Sequence, residues 1–497
     1  MTLGLSNRFS ILQQSPHDLE PDPVSAPVPS EDGQAQRWLP SRYNIRAVTD
    51  DGRLVIWNSF KGSMSVFGAA QRPDVEALLG KKGFSARPQG IVQYLVQRGF
   101  LVKEETNEYR RIQLGFGREQ YRNDILQFIL LASEDCNFRC TYCYEDFARG
   151  TMKPWVRDGI KKLVEKRQGT LRQLSVNWFG GEPLYGFEAI EDLAPFFLEV
   201  AERNSISFTS AMTTNAYLMT PDVAEKLLAW EVRKFQITLD GLEEDHDRSR
   251  PGRHGEATFA TILENLKSLS RRSEDYTVIV RYNFDRQNSK RAPEFLDMIE
   301  REFHRDPRFK VRFRPVGQWG GPNDAQLDVC GADEKADMER RMKREARKRG
   351  LTLSDEISSL SGLGSQVCYA ARPYNFIVGA TGKLMKCTLD LDKNDRNVVG
   401  QLSEQGELIL DQDKFAMWTE PAFESDGKCK KCVVLPACQG VYCPLVRIDR
   451  NETGCSPLRM SAKKELIEAA QTPDPSRRKV MLKDAAPGVS AGLPPSS

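Results

Sequence analysis

Three closely spaced cysteines place the strongest constraint on how this chain can fold. Cys136, Cys140 and Cys143 follow one another at C-x3-C-x2-C spacing, directly after an apolar run over residues 125–132 that predicts a buried strand. Thiolates at this spacing can bind three irons of a cubane cluster and leave the fourth iron open. An open position is typical of catalytic metal sites, because substrate or cofactor can occupy it. On spacing alone, a zinc knuckle or a half-site is the alternative.

Strand and helix patterns alternate regularly from residue 125 onward. Short apolar runs predict six strands, and the patterns between them predict five helices. The predicted strands cover residues 125–132, 173–179, 207–213, 234–239, 276–282 and 309–315, and the predicted helices cover 155–167, 188–203, 221–230, 258–271 and 291–303. Six such repeats predict an α/β fold with a parallel sheet buried on both faces. Functional residues then belong at the carboxyl ends of the strands.

Short polar motifs follow four of these strands. A Gly-Gly-Glu motif at residues 180–182 follows the second, where glycines let the backbone approach a ligand and the carboxylate can accept from an ammonium group. The later strands end in Thr213-Thr-Asn215, Thr238-Leu-Asp240-Gly and Arg281-Tyr-Asn283. Arg281 is planar and permanently charged, which suits a carboxylate ligand. Taken singly, Asp240 and Arg281 are typical of strand-end turns and salt bridges. The nearby His246 is predicted to lie in a solvated loop.

The cysteine spacing and these motifs together resemble the radical SAM superfamily. The resemblance implies a partial (β/α)6 radical SAM barrel over residues 119–345, in an enzyme that splits S-adenosylmethionine (AdoMet) to a 5′-deoxyadenosyl radical. It implies that the three cysteines bind the catalytic [4Fe–4S] cluster, that Glu182 and the glycine carbonyls hold the amino group of AdoMet, and that Arg281 holds its carboxylate. The implied cofactor-binding residues are Tyr142, Gly180, Gly181, Glu182, Asn215, Asp240 and Arg281. Ala216 stands where the family has glycine.

Seven further cysteines follow residue 367, in a pattern that closely resembles the SPASM domain. Four residues separate Cys438 from Cys443, where that family usually has three. The resemblance implies a SPASM domain over residues 346–460 with two auxiliary [4Fe–4S] clusters, which makes three clusters in all. The implied ligands of the distal cluster are Cys429, Cys432, Cys438 and Cys455, and those of the nearer cluster are Cys368, Cys387 and Cys443. A substrate thiolate or Cys330 could complete the second set, although a buried structural role is the alternative for Cys330.

The amino-terminal part divides into a leader and a small module. Residues 1–39 are rich in proline and poor in apolar residues, which predicts disorder, and a disordered tail is predicted over residues 461–497. Residues 40–118 predict three strands and then two helices, at 42–48, 54–57, 62–67, 73–79 and 88–98. This order resembles the peptide-recognition module found beside many peptide-modifying radical enzymes, which binds a leader peptide by strand addition. A winged-helix-like structural appendage is the alternative.

Charge and composition exclude several classes of function. The chain of 497 residues has a net charge of +2, which gives no reason to expect nucleic acid or an anionic membrane as a partner. No apolar run is long enough to span a bilayer, and the amino terminus lacks the apolar stretch of a secretory signal, so a cytoplasmic location is expected. The clustering of the eleven cysteines favours metal or iron–sulfur sites over disulfides.

Three functions are open at this stage. The first is an enzyme that forms a thioether or carbon–carbon crosslink in a precursor peptide, with a reductant such as flavodoxin or ferredoxin. The second is an anaerobic sulfatase maturase that forms formylglycine. That family has an aspartate as general base directly after the cysteine at position 387, where this chain has Thr388, with Asp390 and Asp392 nearby. The third is a zinc-stabilised interaction protein. The first function is favoured by the presence of the amino-terminal module and by the lack of an aspartate at position 388.

Overall fold

The computed structural model describes residues 35–471 apart from 81, 304–305, 355–359 and 392–393, and only the backbone of residue 332. The described residues form two compact units. The first unit contains residues from 121–354 and 369–420, and the second contains residues from 35–120, 360–368 and 421–471. The stretch over residues 346–460 that was predicted as one SPASM domain is therefore divided between the two units.

The amino-terminal part of the second unit contains two small antiparallel sheets. Its strands are β1 (Gln36–Pro40), β2 (Asn44–Val48), β3 (Leu54–Asn58), β4 (Met64–Phe67), β5 (Phe84–Ala86) and β6 (Leu101–Lys103), and its helices are α1 (Arg72–Gly80), α2 (Gly90–Gln97) and α3 (Glu108–Gln120). One sheet has the order β2-β3-β4 and the other β5-β1-β6. Strand β1, in which Trp38 is buried, corrects the end of the predicted leader at residues 36–39. Residues 1–34 lie outside the described part.

The first unit is built on a ten-stranded sheet, in which six consecutive strands on one side match the predicted ones. These strands are β7 (Ile125–Ser133), β8 (Gln173–Gly180), β9 (Ser207–Thr214), β10 (Val232–Thr238), β11 (Thr277–Phe284) and β12 (Phe309–Pro315). The helices are α4 (Pro154–Arg167), α5 (Phe187–Arg203), α6 (Pro221–Ala229), α7 (Glu243–Ser249), α8 (Phe259–Ser270), α9 (Ala292–Phe303) and α10 (Ala332–Lys348). All six strands are parallel and lie side by side in chain order. Their carboxyl ends therefore share one edge.

The same sheet continues beyond β7 with residues from the carboxyl-terminal half. The added elements are β13 (Asn375–Val378), β14 (Lys383–Met385), β15 (Val398–Leu402), β16 (Leu408–Leu410) and the helix α11 (Gln412–Thr419). Strand β13 is parallel to β7, and β14, β15 and β16 follow as antiparallel neighbours. The first unit is therefore a mostly parallel sheet with an antiparallel extension on one side.

The two faces of the parallel sheet differ in chemistry. On one face large aromatic side chains pack against the helices: Phe128 and Trp178 contact Phe197 of α5. On the opposite face, Ala211 of β9 and Ile279 of β11 pack together although β10 lies between their strands. Side chains two strands apart meet only if the sheet curves toward them, because neighbouring strands are about 4.8 Å apart. The face opposite the helices is therefore concave.

The carboxyl-terminal part of the second unit consists of short helices. They are α12 (Ala422–Ser425), α13 (Gly427–Lys430), α14 (Leu435–Cys438), α15 (Pro444–Arg450) and α16 (Leu458–Gln471). Leu466 of α16 is buried in one core with Ile45 of β2 and Trp57 of β3. This packing corrects the predicted tail over residues 461–471, and residues 472–497 lie outside the described part. Within the described residues, the helices are too short or too polar to cross a bilayer.

Candidate active site

The loop with the three predicted cluster ligands follows β7 directly. Asp135 Oδ1 accepts from the Cys136 N–H at 2.8 Å, which turns the chain away from the strand. Further along, the Thr141 N–H donates at 2.9 Å to the carbonyl of Ser249, the last residue of α7. Cys136 is buried and the other two cysteines are half-buried. The loop is thus fixed at both ends and keeps its thiols at the edge of the sheet.

Two N–H groups lie close to the sulfur of Cys136. The Phe138 N–H donates to Cys136 Sγ at 3.3 Å, and Asn215 Nδ2 lies 3.9 Å from the same atom. Burial raises the pKa of the Cys136 thiol, and it raises the pKa of Cys143 to about 12, so a metal must displace thiol protons when it binds. Among the described residues, no three His, Cys, Asp or Glu side chains are grouped to hold one ion. In a cubane each thiolate binds a different iron.

The glycines of the Gly-Gly-Glu motif bring the end of β8 against the cysteine loop. The Gly181 N–H donates to the Ser133 carbonyl at 3.0 Å, and the Glu182 N–H donates to the Asp135 carbonyl at 3.1 Å. A Cβ on Gly180 would lie 2.0 Å from the Ser133 oxygen, and one on Gly181 would lie 2.6 Å from the Asp135 oxygen. Both positions therefore require glycine for contact between two loops of the site, a reason that the motif alone does not supply.

Glu182 is buried between the ends of β8 and β9. Its Oε1 accepts from Thr214 Oγ1 at 2.6 Å and from the Leu184 N–H at 3.0 Å, and its Oε2 accepts from the Asn215 N–H at 2.7 Å. Burial raises the pKa of Glu182 to about 7, against the opposite effect of these hydrogen bonds. Asn215 in turn donates from Nδ2 to Asn137 Oδ1 at 2.8 Å. Glu182 and Asn215, both predicted site residues, thus connect the end of β9 to the cysteine loop.

Tyr142 connects the cysteine loop to the ends of β10 and β11. Its hydroxyl donates to the Asp240 carboxylate and accepts from Arg250 Nη1 at 2.8 Å and from Asn283 Nδ2 at 3.0 Å. The hydroxyl thereby uses its one proton and both lone pairs. Asp240 is fully buried and also accepts from the Asn283 N–H at 2.8 Å. Burial raises the pKa of Asp240, and the Arg250 guanidinium opposes this rise.

Two arginines contact the Tyr142 network, and only one of them was predicted from the sequence. Arg281 is half-buried and donates from Nε to Asn283 Oδ1 at 2.7 Å. Arg250 follows α7, is 6% exposed and contacts Tyr142 directly, but it was not predicted as a site residue. The only signal in the sequence is its place, ten residues after Asp240 in a charged stretch.

His246 corrects the prediction of a solvated loop. It is fully buried on α7, its Nδ1 accepts from the Asp240 N–H at 3.2 Å, and its ring packs edge-on against Phe259. Burial, together with the nearby Arg250 charge, holds the pKa of His246 well below its usual range. The imidazole is therefore neutral and serves to orient the backbone at Asp240.

Four of the carboxyl-terminal cysteines line one cavity of the second unit. The cavity has a volume of about 680 Å³, and Cys429, Cys432, Cys438 and Cys455 are all in its wall. Arg459 also lines it and donates from Nη1 to Cys455 Sγ at 3.5 Å. The structure therefore brings together the four predicted ligands of the distal cluster, beside a cationic group that complements thiolates.

The remaining cysteines lie apart from that cavity wall. Cys387 follows β14 in the first unit, where its N–H donates to Asn397 Oδ1 at 2.9 Å. Cys368 and Cys443 belong to the second unit, in which the Cys368 N–H donates to the Val441 carbonyl at 3.1 Å. Cys330 is buried, and its sulfur lies 3.6 Å from Met338 Sδ on α10, which fits the structural alternative.

The position after Cys387 is occupied by a buried neutral pair. Thr388 Oγ1 lies 2.9 Å from the Tyr369 hydroxyl, which also accepts from the Thr388 N–H at 3.0 Å. Nearby Asp390 accepts from Arg396 Nε at 3.1 Å and from the Asn394 side chain. The carboxylate closest in sequence to Thr388 is therefore held in an ion pair.

A family comparison agrees with this arrangement at the strand ends. Residues 130–299, which include the cysteine loop and β8 to β11, match the Radical SAM superfamily. The chain contains a radical SAM enzyme domain. A zinc protein without enzymatic chemistry, one of the three functions considered above, is thereby ruled out.

Several relatives of this radical SAM protein are named for maturation or cyclisation reactions. The radical SAM cyclopropyl synthase TigE of Paramaledivibacter caminithermalis is 23% identical over 40% of this chain and 46% of its own length. A cysteine-type anaerobic sulfatase-maturating enzyme of Clostridium novyi is 28% identical over 37% of this chain and 49% of its own length. The mycofactocin maturase MftC of Mycolicibacterium smegmatis is 24% identical over 61% of this chain and 74% of its own length. The chain thus spans about half the length of the first two.

A solved structure has the same fold as this chain. It is anSMEcpe with bound AdoMet and the Cp18Cys peptide, with a TM-score of 0.54 and 17% identity over 72% of this chain and 99% of that chain. At this identity the similarity concerns the fold alone. The radical SAM α/β fold with a mostly parallel central sheet is therefore confirmed.

Proposed function

We propose that this protein modifies a ribosomally made precursor peptide by 5′-deoxyadenosyl-radical hydrogen abstraction and forms a thioether or carbon–carbon crosslink. The observation on which this rests is the meeting of the three-cysteine loop with the ends of β8 to β11 at one edge of the sheet. The description of MftC as a maturase and the Cp18Cys peptide bound to anSMEcpe support a peptide substrate.

The residues at the sheet edge fit the two expected cofactors. Cys136, Cys140 and Cys143 would hold a [4Fe–4S] cluster, since buried N–H donors point at the first sulfur and glycine leaves room for the loop. Glu182 and Arg281 would bind the amino and carboxylate groups of AdoMet, because Glu182 Oε2 retains a lone pair and guanidinium matches carboxylate. When bound, these cofactors supply the 5′-deoxyadenosyl radical.

Tyr142 and His246 hold the other residues at this edge of the sheet in position. Tyr142 fixes the cysteine loop to Asp240 and Asn283, so the loop and the strand ends move as one body. His246 orients the backbone at Asp240 as a neutral acceptor. Burial of these groups keeps this edge of the sheet enclosed, which limits side reactions of a reactive intermediate.

An anaerobic sulfatase maturase is the second candidate. The Clostridium novyi relative and the likeness to anSMEcpe favour it. Against it, the position after Cys387 is Thr388, which pairs with the Tyr369 hydroxyl, and Asp390 is engaged by Arg396. A threonine hydroxyl cannot act as a carboxylate base at neutral pH, so crosslink formation remains the first candidate.

The deciding experiment is to look for a short open reading frame beside this gene and to co-express its peptide anaerobically with this protein, followed by mass spectrometry. We expect a product lighter by two hydrogens, with fragmentation blocked between the joined residues. Loss of one alkylatable thiol in the same product specifies a thioether. Conversion of a Cys or Ser in a sulfatase-type peptide to an aldehyde would instead establish the second candidate.

A further inference from the structure

The concave face of the parallel sheet contains buried polar groups that the proposed radical machinery does not use. Asn177 of β8 and Gln236 of β10 are both fully buried on this face. The strand register places Gln236 beside Thr213, and it places Arg312 of β12 beside Arg281. These positions lie one to three residues below the strand ends that form the Tyr142 network.

Arg312 and Gln236 meet on this face. Arg312 Nη1 donates to Gln236 Oε1 at 3.1 Å, although β11 lies between their strands. Arg312 is 2% exposed, so its guanidinium is enclosed within the curved sheet. The contact across β11 and the packing of Ala211 on Ile279 both show that side chains of this face point toward one another.

Several polar atoms of this group have no protein partner. Among the described side chains, both the Nδ2 and the Oδ1 of Asn177 are buried without a hydrogen bond, as is the Nε2 of Gln236. Buried amides in native proteins are nearly always satisfied by protein, water or ligand. Two amides at one concave face, with donors and an acceptor to spare, are therefore typical of a binding site for a polar group.

The charges on the concave face indicate that the polar group bound there is negatively charged. The strand positions that point to it include Lys234, Arg281, Lys310, Arg312 and Arg314. None of the strands β7 to β12 contains an Asp or Glu residue. The acidic groups at this edge, Asp240 and Glu182, lie beyond the strands and already accept hydrogen bonds from Tyr142 and Thr214. Guanidinium groups bind carboxylates through paired, charge-assisted hydrogen bonds, so the basic strand positions favour a ligand of negative charge.

We infer that Arg312 and Gln236 form a subsite that binds the side-chain carboxylate of a substrate Asp or Glu. The inference rests on the proposed function, because it concerns the residue that enters the radical SAM domain. It implies that the precursor peptide has an acidic residue at or next to the modified position. The carboxylate of AdoMet is the other possible occupant, and the test separates the two.

The test uses the full-length, anaerobically reconstituted protein and three small probes. The probes are the N-acetyl N-methylamides of glutamate, glutamine and lysine, and saturation-transfer NMR with titration gives their affinities. We expect the glutamate probe to bind about tenfold or more tightly than the glutamine probe, with the lysine probe weakest. Equal affinity for the glutamate and glutamine probes overturns the inference.

Two substitutions assign the effect to the subsite. Arg312→Gln should weaken the glutamate probe by about 10- to 100-fold, the usual effect of one charge-assisted contact. Gln236→Glu is isosteric and would pair with Arg312 in place, so it should weaken the same probe while the fold is kept. The matched control is Arg271→Gln at the exposed end of α8, which should leave all affinities within about twofold. If Gln236→Glu leaves the preference for the glutamate probe unchanged, the inference is wrong.

AdoMet affinity is measured on the same samples. If Arg312→Gln weakens AdoMet as much as the glutamate probe, Arg312 binds the cofactor and the inference is overturned. Failure of the proposed function has a different signature. A wild-type protein that makes no 5′-deoxyadenosine with dithionite contradicts radical chemistry, yet a preference for the glutamate probe would still support the subsite.

Discussion

At the scale of single residues, Tyr142 connects the cysteine loop to the strand ends. We expect Tyr142→Phe to lower the free energy of unfolding by about 1–3 kcal/mol, because the buried Asp240 carboxylate loses its hydroxyl donor and Arg250 its acceptor. Denaturant unfolding of the apo protein measures this. The control is Tyr121→Phe, at a tyrosine that is 89% exposed, which should change the value by less than about 0.5 kcal/mol. Equal effects of the two substitutions would contradict the role of Tyr142.

Ala216 tests backbone strain at the position where the family has glycine. Its φ is +61° and its side chain is fully buried. Substitution by glycine relieves about 1 kcal/mol of left-handed strain but removes a buried methyl worth about 0.8 kcal/mol. We therefore expect Ala216→Gly to change the free energy of unfolding by less than about 0.5 kcal/mol.

The matched control for Ala216 is Ala224, a buried alanine within α6. There glycine loses the methyl and also about 1 kcal/mol of helix propensity, so Ala224→Gly should destabilise by about 1.5–2 kcal/mol. If Ala216→Gly lowers the free energy of unfolding as much as Ala224→Gly does, the positive φ of Ala216 contributes little strain to the folded protein.

At the scale of elements, periodicity predicted the six parallel strands almost to the residue, because their apolar runs are bounded by clear helix starts such as Thr220 before Pro221. It failed where tertiary packing decides. Strand β1 forms in a proline-rich stretch because Trp38 is buried there, and α16 continues past residue 461 because Leu466 packs on Trp57. The candidate site shows the same division between what local sequence predicts and what tertiary packing determines. Motif residues were predictable, whereas Arg250 was not, since only the fold brings it to Tyr142.

The amino-terminal sheet allows a sharp test of leader recognition by strand addition. In an antiparallel pair of strands, every second residue exchanges backbone hydrogen bonds with the neighbouring strand. The hydrogen bond from the Thr49 N–H to the Arg53 carbonyl fixes this alternation, so residues 47 and 45 of β2 bond to β3. The exposed Arg46 lies between them and directs its N–H away from β3. Arg46→Pro removes this outward donor without breaking the sheet. We expect calorimetry to show weaker binding of the precursor's leader segment to Arg46→Pro, and nearly normal binding to Arg46→Ala. If the two variants bind alike, the leader does not add to the β2 edge.

At the scale of the whole molecule, the ten cysteines of the two patterns predict the metal content. They include the loop of the first unit and the cavity wall of the second. We expect anaerobically purified protein to be brown and to contain about twelve irons with matching sulfide, as three [4Fe–4S] clusters. Iron and sulfide analysis measures this. A colourless protein with two or three zinc ions would contradict it.

Substituting the cysteines of one set should remove the cluster of that set and leave the other cluster bound, because the two sets lie in different compact units. Replacing Cys136, Cys140 and Cys143 by Ala should remove about a third of the iron and abolish 5′-deoxyadenosine formation from AdoMet with dithionite. Replacing Cys429, Cys432, Cys438 and Cys455 should remove a similar share of the iron while uncoupled AdoMet cleavage persists, since none of these four residues belongs to the radical SAM domain. If the first variant still makes 5′-deoxyadenosine, the catalytic cluster has been assigned to the wrong cysteines. If the second variant loses AdoMet cleavage in proportion to its iron, the cavity of the second unit takes part in radical formation itself.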